Sequence, residues 1–204
     1  MLHGFHVIFS TYGFWLPNDP RGSWSTVVRR WEIARFGPAT KVDTRSSVAT
    51  ADHDHELRRA AKLALQYPEV KLTGRQAHAV GAGFGAAVDE AGYVVYACTI
   101  LPQHVHLVLG PHTRDIRRIV GHFKARATQR LSHEQLHPLA EFTQADGTVP
   151  SPWAQGGWNV FLFSEEHLLK AIDYVERNPT KEEKPRQRWS FVTPYQGGAS
   201  PAAK

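Results

Sequence analysis

The chain has 204 residues, of which 42% are hydrophobic, and a formal net charge of +5. A chain of this length and composition can bury one sizeable core, so we expect a single domain. No apolar run is long enough for a transmembrane helix, and the first residues lack the order of a signal peptide. Since Cys98 is the one cysteine, a disulfide framework and a cysteine-based zinc cluster are both excluded. These features favour a cytoplasmic protein with no membrane partner, and the positive charge is compatible with a polyanionic one.

The N-terminal third combines one strand with a long irregular stretch. Residues 5–10 are predicted to form a strand, and the turn-forming residues at 17–22 cannot continue it. From about residue 25 to 72 the pattern is irregular, apart from a short helical periodicity over 54–66. We interpret 25–72 as an insertion or lid within one domain that spans residues 1–181.

The rest of the chain alternates between helical and strand patterns. We predict a helix over 75–90, a hairpin of strands 93–100 and 104–109, a helix over 113–131, a strand over 158–163 and a helix over 165–178. The first six elements match the ferredoxin-like split βαβ plan, an α+β fold with an antiparallel sheet and its helices on one face. The last helix is an addition, and residues 182–204 are expected to form a loose tail.

His104 and His106 are the first candidate site residues. Alternate residues of a strand share a face, so both imidazoles point the same way while Val105, Leu107 and Leu109 point towards the core. Two imidazoles on one rigid face can form half of a site for a divalent metal. A His-x-His pair is weak by itself in a chain with 12 histidines, and surface or core histidines are the alternative.

Tyr174 lies on the predicted last helix, nearly opposite its apolar cluster of Leu168, Ile172 and Val175. Asn178, one turn later on the same face as Tyr174, could offer an amide oxygen to a metal. Pro179 is expected to end the helix. The alternative is a half-exposed tyrosine that packs on a neighbouring loop.

The helix over 113–131 is unusually basic, with Asp115 as its one acidic residue. Exposed helix faces usually mix both signs, so this imbalance favours a surface that binds phosphates. The candidate DNA-binding residues are Arg114, Arg117, Arg118, Lys124, Arg126 and Arg130.

A zinc-protease pattern, H-E-x-x-H, also occurs, with His133, Glu134 and His137 as its chemistry-bearing residues. Pro138 follows the second histidine directly and disfavours helical geometry there. A zinc hydrolase that uses these three residues is therefore a remote alternative.

Several segments together resemble the single-tyrosine HUH transposases, which include insertion-sequence transposases and REP-associated tyrosine transposases. The segment LPQHVHLVLGP is similar to their histidine signature, and YVERNPTK is similar to the motif that carries their nucleophilic tyrosine. HFKARATQRL and the tryptophan-containing run before Tyr174 are also similar to family segments. Gln103 and Glu176 depart from the residues usual in the family, which are Asn and His.

This resemblance implies a metal-dependent endonuclease and strand transferase that acts on single-stranded DNA and forms a 5′-phosphotyrosine intermediate. Tyr174 would be the nucleophile, and His104, His106 and Asn178 would hold Mg²⁺ or Mn²⁺. The expected partner is single-stranded DNA with a hairpin, and the expected location is the cytoplasm, in association with the nucleoid. The protein could be a monomer or a homodimer. The alternative is a DNA-hairpin-binding protein of the same fold without transposition activity.

Overall fold

The computed structural model describes residues 1–43, 48 and 50–197. The strands are β1 (Gly4–Ser10), β2 (Val95–Ile100), β3 (His104–Leu109) and β4 (Trp158–Leu162). The helices are α1 (Trp31–Ala34), α2 (His55–Leu63), α3 (Gly74–Ala91), α4 (Ile116–His133) and α5 (Glu165–Lys181), with a 3₁₀ turn at Ala140–Phe142. The predicted elements are present in the predicted order, with ends that differ by a few residues. In the described part of the chain, no helix is long and apolar enough to cross a bilayer.

The four strands form one antiparallel sheet in the order β2-β3-β1-β4. Opposite His106, the neighbouring strands place Ile8 on β1 and Thr99 on β2. His104 lies opposite Ser10, the last residue of β1. The beginning of β3 and the end of β1 therefore meet at one end of the sheet.

Helices cover both faces of this sheet, so the prediction of helices on one face with an appended last helix is only partly right. On one face, Phe5, Val7 and Phe9 join Val105 and Leu107 in the main core, which α3 and α4 complete. The opposite face carries a smaller cluster, in which Val108 and Leu162 pack with residues of α5. The apolar side of α5 thus covers the sheet face that also bears His104 and His106.

Helices α3 and α4 approach each other closely because α3 contains glycine at the contact. A Cβ added to Gly83 would lie 2.6 Å from the Cα of Ala127 on α4. The obstructing atoms belong to the backbone of α4, and both residues are buried, so no flexible side chain could move aside to make room. Glycine costs a helix about 1 kcal/mol relative to alanine, and close packing of the two backbones is the reason for it here.

Helix α5 continues through Pro179 to Lys181, three residues beyond its predicted end. Proline has no N–H, so it cannot bond the carbonyl of residue i−4, which is Val175. The Thr99 hydroxyl donates to that carbonyl instead, at 2.6 Å. A side chain of β2 therefore satisfies the backbone group that Pro179 leaves open and attaches α5 to the sheet.

The segment expected to be a loose tail packs against the domain as far as the structure describes it. Gln187 makes two hydrogen bonds with the backbone of Ile100, along the edge of β2 that faces away from β3. Trp189 and Phe191 pack against the main core, and Val192 forms a bridge with Val95. Residues 198–204 of the predicted tail lie outside the described residues.

Candidate active site

The two histidines of β3 lie side by side beneath α5, as strand alternation predicts. The ring centroids of His104 and His106 are 5.0 Å apart. His106 is 4% exposed and is surrounded by β1, β2 and α5. Phe14, from the loop after β1, stacks on His104 with an interplanar angle of 9°. The two imidazoles are therefore held by packing on both sides.

A third histidine, His6 on β1, completes this cluster. Its Nε2 lies 3.0 Å from the Nδ1 of His106, a hydrogen-bond distance between the two rings. This bond occupies Nδ1 of His106 and leaves the Nε2 of that ring available for another partner. A partner at one ring nitrogen is the usual way in which the tautomer and orientation of a metal-binding histidine are set.

Tyr174 of α5 lies directly above this cluster. Its ring centroid is 5.6 Å from that of His106 and 5.8 Å from that of His6. The side chain is 40% exposed, and no residue of the described chain makes a hydrogen bond with its hydroxyl. The phenol therefore borders the histidines on one side and solvent on the other, where a substrate could approach.

Three further residues of α5 and its C-terminal end lie around Tyr174. Asn178 is 6% exposed, and its buried Nδ2 has no hydrogen-bond partner among the described residues. Lys181 places its Nζ 4.4 Å from the centre of the Tyr174 ring. Glu182 places Oε1 3.8 Å from Nε2 of His104. Since 174, 178 and 181–182 are about one turn apart, a single helix delivers all of these groups.

Burial keeps the three imidazoles neutral. It lowers the pKa of His6 and that of His104 to about 4. The pKa of His106 lies well below its ordinary value, first because of burial and then because a charge on His106 would be repelled by Lys181 and by the charged forms of His104 and His6. Neutral imidazoles have the lone pairs that metal ions bind, so the cluster is suited to a cation.

The same surroundings do not activate Tyr174. Burial raises the pKa of its phenol above the ordinary value, and the negative charge of Glu182 adds to the rise. At neutral pH the hydroxyl is therefore protonated and a poor nucleophile. Any chemistry at this oxygen requires additional positive charge beside it.

The donor atoms present fit a divalent cation held by two imidazoles and an amide. Nδ1 of His104 and Nδ2 of Asn178 are both buried without a hydrogen-bond partner in the described structure. Because the oxygen and nitrogen of an amide are assigned from their surroundings, a half-turn of the Asn178 amide would present its oxygen at that position. Across residues 1–43, 48 and 50–197, no three His, Cys, Asp or Glu side chains are grouped to hold a metal. A third ligand for a cation at His104 and His106 would therefore have to be of another type, such as an amide.

The basic helix α4 lies on the other side of the sheet. It packs with α3 against the face opposite the histidines, and its start follows the far end of β3. That end is about 17 Å from His104, at 3.3–3.4 Å per strand residue. Arg114, Arg117 and Arg118, at or just before the start of α4, therefore lie at the far end of the sheet from the imidazole cluster. Lys124 lies nearer that cluster but on the opposite face, where it bonds the loop beside Ser10.

Several of those cations also have partners within the protein, so the expectation that only Asp115 opposes them is wrong. Arg126 pairs with Glu90 of α3 at 2.8 Å, and Arg130 pairs with Glu134. Lys124 donates to the carbonyls of Ala154 and Gly156, and burial lowers its pKa to about 8. Arg114 donates to the hydroxyl of Tyr93. Within the described chain, Arg117 and Arg118 are exposed and form no ion pair.

The H-E-x-x-H segment does not form a metal site. Helix α4 ends at His133, and Gln135 has a φ of 57°, so the two histidines are not one helical turn apart. His133 is exposed, whereas His137 is buried and its Nδ1 accepts from the backbone N–H of Leu139. The zinc-hydrolase alternative therefore has no structural basis.

Sequence patterns missed three residues of the site. His6 alternates with Phe5 and Val7 on β1, and this alternation places it on the face away from the core. Lys181 and Glu182 follow Tyr174 by seven and eight residues, two helical turns. Because the helix was expected to end at Pro179, Lys181 and Glu182 were not placed on the same face as Tyr174.

No protein-family model and no curated protein matches the chain. Among solved structures, one similar chain is a REP-associated tyrosine transposase bound to a REP hairpin, at 17% identity and a TM-score of 0.44. That similarity covers 62% of this chain and 70% of the other. A candidate transposase from Deinococcus radiodurans R1 is similar at 13% identity and a TM-score of 0.43, over 87% of this chain and 91% of the other.

Proposed function

We propose that the chain is a metal-dependent endonuclease and strand transferase that acts on single-stranded DNA, with Tyr174 as its nucleophile. The observation that carries this proposal is the contact of the Tyr174 ring with His106, at 5.6 Å between centroids. A phenol with a free hydroxyl beside neutral imidazoles that can bind a metal is an arrangement that supports nucleophilic attack by tyrosine on phosphorus. The sequence motifs that resemble the single-tyrosine HUH transposases contain these same residues.

In this proposal His104, His106 and Asn178 bind Mg²⁺ or Mn²⁺. Imidazole and amide ligands suit Mn²⁺, and Mg²⁺ is accepted with water completing its shell. When bound, the cation polarises the phosphoryl oxygens and offsets the charge that develops during the reaction. His6 orients the ring of His106 through the bond at Nδ1.

The residues of this chain position the reacting groups. Thr99 fixes α5 on the sheet one residue from Tyr174, through the Val175 carbonyl. The Lys181 ammonium, 4.4 Å from the ring centre, adds positive charge where phosphate oxygens approach. Both effects favour attack by the phenol oxygen despite its raised pKa.

The step is a transesterification. A bond forms between the Tyr174 oxygen and phosphorus, while the bond from phosphorus to the 3′ oxygen breaks. The phenol proton passes by way of solvent to the departing 3′ oxygen. One phosphodiester is replaced by another, so the strand can be rejoined without a further energy source.

The test uses hairpin oligonucleotides with single-stranded flanks of random sequence, labelled on the 3′ side of the hairpin. With Mn²⁺ we expect a labelled protein adduct in denaturing gels, and mass spectrometry should locate the DNA on Tyr174. The Tyr174→Phe variant should form no adduct. Tyr195→Phe is the matched control, because Tyr195 is a partly exposed tyrosine that bonds Glu165 outside the histidine cluster.

An adduct that persists in Tyr174→Phe would show that another residue is the nucleophile. Binding without any adduct, in the presence of either metal, would instead support the DNA-hairpin-binding protein without transposition activity.

A further inference from the structure

Residues 55–71, the last part of the stretch predicted to be an insertion or lid, line a basic groove together with Phe14 and Gln103, at the same end of the sheet as the histidines. The groove has a volume of about 480 Å³. Helix α2 supplies one wall, and the loop before α3 with the turn before β3 supplies the other. Its lining residues include Phe14, Arg58, Arg59, Lys62, Lys71 and Gln103.

This groove is continuous with the imidazole cluster. Phe14 stacks on His104, with ring centroids 5.4 Å apart, and also lines the groove. Gln103 is the residue before His104, and its side chain bonds Glu69 on the groove wall at 2.6 Å. The groove and the imidazole cluster therefore share Phe14 as a common border, and Gln103 joins the groove wall to His104 through the backbone.

The groove carries an excess of positive charge. Glu69 forms an ion pair with Lys62 at 2.7 Å, and Arg58 forms an ion pair with the buried Asp19 at 3.2 Å. Arg59 and Lys71 are exposed and form no ion pair within the described residues. These two cations are available to a ligand without the loss of an internal contact.

We propose that this groove binds the single-stranded flank of the DNA and leads it to Tyr174. Cations beside an aromatic ring are the combination that holds unpaired strands, because phosphates bind the charges while a base packs on the ring. The proposal rests on the function proposed above, and it gives residues 55–71 a role in substrate binding. Neutral or basic ligands do not match the positive charge of the lining.

Direct binding separates this inference from the chemistry. Binding is measured in EDTA on a Tyr174→Phe background, by fluorescence anisotropy, with two probes. One is a DNA hairpin alone, and the other is the same hairpin with an oligothymidylate flank of about 10 nucleotides. The gain in affinity that the flank provides is the measured quantity.

The groove variant is Arg59→Gln with Lys71→Gln, and the matched control is Arg117→Gln with Arg118→Gln. Each pair removes two exposed cations, so general charge loss is equal. We expect the flank to improve the affinity of the parent protein about tenfold or more, and the groove variant to lose that gain. The control weakens both probes equally and keeps the gain.

The salt dependence gives a second readout. Loss of two phosphate contacts to a single strand should reduce the slope of log K against log salt by about 1.4 for the flanked probe. A groove variant that keeps the parental gain overturns the inference, as does a parent protein that gains nothing from the flank. Since the assay needs neither metal nor cleavage, failure of the proposed nuclease activity leaves its result intact.

Discussion

The two faces of the sheet differ in composition although the same strands build both. Under α3 and α4, the strands present Phe5, Val7, Phe9 and Leu107, all buried in a continuous apolar core. Under α5, the alternate positions present imidazoles beside a smaller apolar cluster. The first face stabilises the domain through its apolar core. The second face buries imidazoles, which stay neutral because they are buried.

This difference shows how one sheet can separate stability from chemistry. Helix α5 covers the polar face and is attached both by apolar contacts and by the bond from Thr99 to Val175. A change on the α3–α4 face should therefore alter the free energy of unfolding without a specific effect on the site. A change on the α5 face should alter both, or the response to pH.

The largest expected effect is on the apolar face. Phe123→Ala removes a fully buried ring that packs edge-on against Phe84, so the free energy of unfolding should fall by about 3–5 kcal/mol. Phe161→Ala, at a half-exposed ring, is the matched control and should cost less than about 1 kcal/mol. Urea unfolding measures both. Equal losses at the two positions would contradict the contrast between them.

The second effect is the acid sensitivity of the polar face in metal-free protein. The pKa of His6 and of His104 is about 4 in the folded chain, against 6.5 ordinarily, so between these values the unfolded chain binds more protons. Stability therefore falls as the pH drops from about 6.5 to 4, by up to about 3 kcal/mol for each histidine. His6→Gln should reduce this fall, as measured by urea midpoints at several pH values. His133→Gln, at an exposed position, is the control, and an unchanged pH profile in His6→Gln would refute the assignment.

A smaller effect is expected from the attachment of α5. Thr99→Val leaves the buried carbonyl of Val175 without a donor, because Pro179 cannot supply one, and should cost about 1–3 kcal/mol. Thr180→Val makes the same chemical change at an exposed hydroxyl that bonds Arg177 and should cost far less. Thermal unfolding compares the two variants. Faster hydrogen exchange in the last turns of α5 should accompany the loss in Thr99→Val, and normal exchange there would argue against this attachment.

The smallest effect concerns the basic helix. Arg117→Ala removes an exposed cation without a partner in the described chain and should reduce the salt slope of DNA binding by about 1 if this surface contacts phosphate. Arg126→Ala should change that slope less, because Arg126 is already paired with Glu90. An equal reduction of the slope in both variants would show that the internal ion pair opens when DNA binds, and an unchanged slope in Arg117→Ala would show that this surface does not contact phosphate.

Local patterns predicted most of the elements but not how they pack. The strand at His104–Leu109 and its hairpin follow from alternation and turn residues that are neighbours in the chain. Which face α5 covers depends on sheet register, and its extension past Pro179 depends on Thr99, 76 residues away from Val175. The packing of Trp189 and Phe191 is likewise a tertiary effect, one that periodicity does not reveal.

The candidate site shows the same division. Strand alternation and the family resemblance together indicated His104, His106, Tyr174 and Asn178. The structure places the rings of the first three beside one another, and Asn178 one turn after Tyr174 on α5. Their roles stay a prediction. His6 was missed because alternation gives its face on β1 but not its neighbour, and its contact with His106 depends on a residue 100 positions away. The charge of α4 was overestimated because its partners, such as Glu90 and the loop carbonyls, lie in other elements.

The contact between Tyr174 and His106 occurs within a single polypeptide. If both act in the same reaction, each copy of the chain is a complete catalyst, and the rate per molecule should be constant on dilution. Two inactive proteins, one without the phenol and one without the imidazole, should then fail to complement each other when mixed. A homodimer that forms on DNA would still keep two independent centres.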